Sequence, residues 1–247
     1  MTRELRSIPI PHSAMVLAAG LGTRMRPLTA TMPKPLVPLA GRPLIDRVLD
    51  RLGEAGVARA IVNVHHFADQ LEAHVQSRRS PIVVISDERD AVLETGGGIV
   101  KALPLLGAEP FFVHNSDAVW IEGPGRNLAR LADGWDDARM DALLLVAPTT
   151  AMLGYAGDGD FAMGPHGHLT RRRERELAPF VFTGVSIAHP RLLAGAPAGR
   201  HSINVRWNAA LARGRLFGLR AEGTWMHVGT PEAVAAAERC LLASSCR

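Results

Sequence analysis

Cysteine, lysine and aromatic side chains are all scarce in this sequence. The two cysteines, Cys240 and Cys246, both fall in the last eight residues of a 247-residue chain. A cross-link there cannot staple a fold of this size, so free thiols in a reducing compartment are expected. Tyrosine occurs once and aromatics make up 5% of the chain. Nucleic-acid binders interleave aromatics with a clustered basic patch, whereas the one basic cluster, Arg171-Arg172-Arg173-Glu174-Arg175, lacks aromatic neighbours. Nucleic acid is therefore not an expected partner. The run reads as a solvated face, with attraction of an anionic ligand as the alternative. No apolar run approaches the ~20 residues that cross a bilayer, so no membrane partner is expected either. The stretch Ala14–Ala19 is about half a signal-peptide core and runs straight into Gly-Leu-Gly-Thr-Arg. A cytoplasmic location is the expectation.

Lysine scarcity is itself informative. Of 28 basic residues only Lys34 and Lys101 are lysines. Compositional drift toward arginine explains such a balance and leaves the surviving lysines conspicuous. A compact ammonium approaches phosphate as a point charge, a task that arginine fills poorly. Lys101 lies inside an expected helix and suits a structural or surface role. Apolar content of 47% with 21% charged residues is enough to bury a sizeable core.

Along the chain, residues 1–12 read as a loose extension and 13–247 as one domain. Short apolar runs at 15–18, 60–64, 82–85, 110–113 and 142–146 alternate with helical periodicity at 44–52, 68–78, 96–106 and 127–132. This β-α alternation predicts a Rossmann-like, doubly wound, mostly parallel sheet. Glycines at 157, 159, 164 and 167, with strand-like 160–163 and 180–187, predict a small inserted β subdomain. A helix over 203–213, strands over 216–220 and 224–228, and a closing helix over 231–243 complete the reading. It divides the domain into halves, 13–125 and 126–230. No hexapeptide β-helix period occurs, so a monomer or homodimer is expected.

The first strand ends in Leu17-Ala18-Ala19-Gly20-Leu21-Gly22-Thr23-Arg24, a glycine-rich loop at the carboxyl edge of the sheet, where open α/β folds bind ligands and backbone N–H groups reach phosphates. Two common phosphate loops fail against it. The dinucleotide fingerprint needs a small residue where Met25 stands and an acid where Asn63 and Val64 stand, and the Walker pattern needs a lysine that the loop lacks. Ten residues on comes Pro33-Lys34-Pro35-Leu36. That pairing, with Glu-Thr-Gly-Gly-Gly-Ile at 94–99, Asn-Ser-Asp at 115–117, Gly-Asp-Phe at 159–161, Phe-Thr-Gly-Val-Ser at 182–186 and Trp-Met-His-Val-Gly-Thr at 225–230, resembles the sugar-1-phosphate nucleotidyltransferases. The likeness runs from Ala14 to Ala243 and is most like their N-acetylmuramate 1-phosphate uridylyltransferase branch.

The resemblance implies an enzyme that joins a nucleoside triphosphate, here UTP, to a sugar 1-phosphate and releases pyrophosphate, with Mg²⁺ or Mn²⁺ as cofactor. It implies that Arg24 and Lys34 are catalytic, and that Leu17, Ala18, Ala19, Gly20, Gly22, Thr23, Glu94, Thr95 and Gly96 bind nucleotide. Asn115, Asp160, Thr183 and Gly184 would line the sugar side, and Asp117 would hold the metal. The attacking phosphate is largely dianionic at neutral pH, so the chemistry asks for charge neutralisation and alignment rather than a general base. One position departs from the pattern: His227 stands where the family has a second aspartate ligand. Imidazole suits softer ions than Mg²⁺. His227 is read as a metal ligand, as a hydrogen-bond donor to a metal-bound water or phosphate, or as the mark of a weakened, nucleotide-sensing relative. Guanylyl or thymidylyl transfer to another sugar phosphate remains an alternative within the class.

Overall fold

The computed structural model describes residues 9–245. Its strands are β1 (Ser13–Leu17), β2 (Pro38–Leu39), β3 (Arg42–Pro43), β4 (Arg59–Val64), β5 (Ile82–Asp87), β6 (Phe111–Asn115), β7 (Ala118–Ile121), β8 (Ala142–Pro148), β9 (Met152–Leu153), β10 (Phe161–Met163), β11 (Leu169–Arg171), β12 (Phe180–Ala188), β13 (Leu216–Arg220) and β14 (Thr224–His227). Its helices are α1 (Leu44–Glu54), α2 (Ala68–Val75), α3 (Glu94–Leu106), α4 (Asn127–Gly134), α5 (Asn204–Ala212) and α6 (Pro231–Ser245). The expected extension falls largely at residues 1–8, which lie outside the described residues, as does Cys246.

Among the described residues nine strands form the main sheet, ordered β11-β10-β12-β6-β1-β4-β5, with β8 on β12 and β13 on β8. Strands β6, β1, β4 and β5 are mutually parallel, as are β8 and β13. Alternation along each strand explains why the sheet is wound on both faces. Val16, Val62 and Val64 bury one way, against Val48, Leu49 and Leu52 of α1 and Leu71 and Val75 of α2. Met15 and Ile61 bury the other way, against Ile99 and Ala102 of α3 and Trp207 and Ala210 of α5. Each fully buried aliphatic side chain contributes about 1.5–3 kcal/mol.

The structure differs from the sequence reading in two places that matter for the site. Residues 180–188 belong to the main sheet: β12 runs antiparallel between β6 and β8, with Val185 opposite His114, and the β10–β11 hairpin continues the same sheet from β12. The strand β7, which the apolar pattern does not separate from β6, pairs with β14 and starts a three-stranded sheet ordered β7-β14-β9. Helix α6 closes over that sheet: Val234 and Ala237 pack with Val119, Met226 and Val228.

Candidate active site

Parallel register brings four strand ends to one edge: Leu17 pairs with Asn115, Val16 with Val62, and Val64 with Asp87. A cleft of about 500 Å³ opens there. Leu17, Ala18, Ala19, Gly20, Gly22, Thr23 and Arg24 line it from the loop, Lys34 follows, and Glu94, Thr95, Asn115 and Asp117 supply the rest of the anticipated lining. Twelve residues from four separate segments therefore meet in one place.

Local backbone explains the loop. Gly22 is left-handed at φ +63, and a Cβ on it would lie 3.1 Å from both Lys34 Cβ and Thr29 Cγ2. Only glycine meets both demands easily. The Thr29 hydroxyl, buried, donates to the Gly22 carbonyl at 2.8 Å, which locks the loop before Arg24. Lys34 opens a short 3-10 turn behind Pro33. Its ammonium donates to Asp117 Oδ2, with side-chain exposures of 14% and 28% for lysine and aspartate. Asp117 sits in the β6–β7 turn, two residues past the strand end.

The β7–β14 register explains how residue 227 reaches this pair. His227 pairs with Ala118, the neighbour of Asp117, and a Cβ on Gly229, which lines the cleft, would lie 2.4 Å from His227 Nε2. Burial holds the imidazole below its usual pKa; Asp117 opposes this, while Arg24 and Lys34 push it the same way. The ring is thus neutral at neutral pH, the form in which a histidine nitrogen is free to ligate or accept. Among the described residues no three His, Cys, Asp or Glu side chains cluster as a metal cage. Asp117 alone fits Mg²⁺ or Mn²⁺ chemistry of the kind that takes one carboxylate and completes its shell with substrate phosphate oxygens.

Four anticipated residues stand outside this lining, and the fold holds each in place. Gly96 does not line the cleft: its N–H and that of Gly97 donate to the His201 carbonyl at 2.9 and 3.1 Å, and a Cβ on Gly96 would meet the His201 ring at 2.5 Å. The glycine run lets the 199–203 segment lie on the start of α3. Thr183 is buried, donating to the Leu145 carbonyl at 2.9 Å, and its own carbonyl accepts from Trp225 Nε1. Gly184 packs on Asn115, whose amide nitrogen stands 3.0 Å from where its Cβ would be. The Asp160 carboxylate accepts from the Phe182 N–H at 2.9 Å. The basic run is likewise largely engaged: Arg171 donates to Asn204 and Asn208 over the Phe161 ring, Arg172 to the Gly159 and Glu176 carbonyls, and Arg173 faces Glu176. Lys101, as expected of a surface lysine, donates to the Asp87 carbonyl.

The cleft also holds residues that motif and spacing do not single out, chiefly Asn63, Glu88 and Ser202. In the sequence, Asn63 stands out only as the wrong residue for a dinucleotide fold. Glu94 carries a conformational signal: it is a non-glycine residue at φ +59, strained backbone of the kind kept at ligand sites. Its carboxylate pairs with Arg200 at 2.8 Å. Gly97→Ala tests the docking of the 199–203 segment. The new Cβ would stand 2.3 Å from the Gly199 carbonyl oxygen, so a loss of about 1–3 kcal/mol is expected, read as a lower melting temperature together with weakened nucleotide binding.

A glycine-rich loop, a lysine–aspartate pair and a helix start meet on the carboxyl edge of a doubly wound sheet, the arrangement expected of a nucleotidyltransferase. The chain belongs to the MobA-like NTP transferase domain family, which it matches over residues 14–219. It is 50% identical over 232 residues to an N-acetylmuramate α-1-phosphate uridylyltransferase of Caulobacter vibrioides, covering 92% of this chain and 96% of that one. A protein of the same name from Neisseria meningitidis is 36% identical, covering 88% and 93%. The fold is that of a solved UDP-glucose pyrophosphorylase in complex with UDP-glucose, at TM-score 0.77, 16% identity, and coverage of 94% and 98%. These matches make the protein an enzyme of the sugar-1-phosphate nucleotidyltransferase family.

Proposed function

We propose that the protein transfers a uridylyl group from UTP to N-acetylmuramate 1-phosphate, giving UDP-N-acetylmuramate and pyrophosphate, as a cytoplasmic step of cell-wall recycling. The carrying observation is the Lys34–Asp117 pair at the mouth of the glycine-rich loop, supported by the name of the 50% identical relative. A sugar-phosphate oxygen forms a bond to the α-phosphorus as the bond to pyrophosphate breaks. Lys34 would neutralise the α-phosphate and hold the incoming phosphate beside it, and Arg24, exposed on the rim, would fork onto the leaving pyrophosphate. Asp117 would hold Mg²⁺ or Mn²⁺, which supplies charge neutralisation to the phosphates when bound. Residues 13–125 would handle the nucleotide and 126–230 the sugar, with Ser202 reaching across.

Pyrophosphate release over a matrix of nucleoside triphosphates and sugar 1-phosphates tests the reading. Turnover fastest with UTP and N-acetylmuramate 1-phosphate is expected. Preference for another pair would overturn the substrate assignment, and silence with nucleotide binding intact would overturn the catalytic one. The same assay addresses His227. With a neutral imidazole beside Asp117, the enzyme is expected to favour Mn²⁺ over Mg²⁺, and His227→Asp to shift the ratio toward Mg²⁺. An unchanged ratio would remove His227 from the metal site.

A further inference from the structure

Two buried polar side chains lie in the floor of the cleft, between the glycine-rich loop and the start of α3. Asn63, at 2% exposure, accepts from the Ala18 N–H through Oδ1 at 2.6 Å. Its Nδ2 donates to Glu88 Oε1 at 2.8 Å, and Glu88, at 1% exposure, accepts from the Leu93 N–H through Oε2 at 3.2 Å. The result is one chain of hydrogen bonds, Ala18–Asn63–Glu88–Leu93. Its ends are the backbone of the two segments that face each other across the cleft, 17–19 and 92–95. Each link is directional, because an amide side chain accepts only through its oxygen and donates only through its nitrogen, and Asn63 uses both. The cradle is built for it. A Cβ on Gly98 would lie 2.8 Å from Glu88 Oε1 and 2.9 Å from Asn63 Nδ2, so the third glycine of the run makes room for this pair.

We infer that Asn63 and Glu88 are positioning residues that hold the two walls of the nucleoside slot at one spacing, and through it select the base. The inference rests on reading the cleft as the nucleoside triphosphate site. Neither side chain has to touch the reacting phosphates. Leaving a buried donor or acceptor without its partner costs more than the hydrogen bond contributes, so the spacing is stiff, and base discrimination by a stiff slot depends on pairing every polar group.

A polarity swap tests it. In Asn63→Asp, a carboxyl oxygen faces Glu88 where the amide N–H stood, and the link loses its donor. In Glu88→Gln, the single remaining carbonyl oxygen cannot serve both Asn63 and Leu93. In the double variant N63D/E88Q, the carboxylate at position 63 accepts from the Ala18 N–H and from the side-chain amide at position 88. The carbonyl of that amide accepts in turn from the Leu93 N–H, so all links return with net charge unchanged. Each single variant is expected to raise the KM for UTP by about tenfold and to reduce the preference for UTP over other triphosphates. The KM for the sugar phosphate should stay within about threefold. The double variant should recover to within about threefold of the parent. A fall in kcat with both KM values moving in step with melting temperature, or a double variant no better than the worse single one, would overturn the inference. Hydrogen exchange of residues 17–20, fast in the single variants and slow again in the double one, reads the relay without any nucleotide. A parent protein that binds no nucleoside triphosphate would overturn the reading of the cleft, while exchange still judges the relay itself.

Discussion

Lys34→Ala is expected to lower kcat/KM for nucleotidyl transfer by about 10²–10³, with little change in melting temperature. The figure is that of removing one preorganised donor from a developing charge. Lys34 is suited to the task because its side chain is well sheltered, at 14% exposure, yet faces the cleft beside Asp117. Lys34→Arg sharpens the argument. The larger fork would have to fit in the same sheltered place beside Asp117, and it presents charge over a plane rather than at a point. At least a tenfold loss is expected for arginine as well. Activity within threefold of the parent would show that charge alone matters at this position.

The second large effect is on stability and lies at the opposite edge of the sheet. Asp141 just precedes β8, and its carboxylate, at 4% exposure, accepts from Arg191 Nε at 3.0 Å, Arg213 Nη2 at 3.0 Å and Arg215 Nε at 2.7 Å. These arginines follow β12 and precede β13, so one carboxylate gathers three strand ends. Burial pushes the Asp141 pKa up, but hydrogen bonds from Arg215 and Arg213, the Arg215 charge and the Arg191 bond outweigh it, and the net direction is down. Asp141→Asn is expected to cost about 3 kcal/mol at pH 7, toward the low end for breaking a buried ion pair because the arginines stay partly in water. In a chain of this size that is roughly a 6–12 °C drop in melting temperature. The sign with pH follows from the lowered pKa. The carboxylate's contribution is complete above its unfolded value of about 4 and is lost as pH falls through the folded value, so parent and variant should converge in acid. A gap that persists unchanged well below pH 4 would place the effect elsewhere. Since the cleft lies at the far edge, KM values should not move.

Much of the nucleotide side is legible in the sequence because its signals are local. The run ending at Leu17, the glycine loop, the helical spacing of Leu44 to Leu52 and the Pro-Lys-Pro turn each declare themselves within a dozen residues, and all recur where expected. Twelve of the anticipated site residues line the cleft. The residues outside that lining share a feature. Gly96, Thr183 and Asp160 come from motifs that resemble a binding segment, and their hydrogen-bond partners in the fold, His201, Leu145 and Phe182, lie 105, 38 and 22 residues away in sequence. No short window along the chain contains both members of such a pair.

What the sequence determined by itself, then, is the alternation of strands and helices, the glycine-rich loop and the unusual standing of Lys34, because backbone conformation and burial periodicity are set by near neighbours. Tertiary structure alone decided which residues share the cleft. The register of β7 on β14 set His227 beside Ala118 and so near Asp117, and the parallel pairing of β1, β4 and β5 brought Asn63 and Glu88 beneath Ala18. Those placements follow from long-range hydrogen-bond register, in which a slip of one residue turns every side chain to the other face.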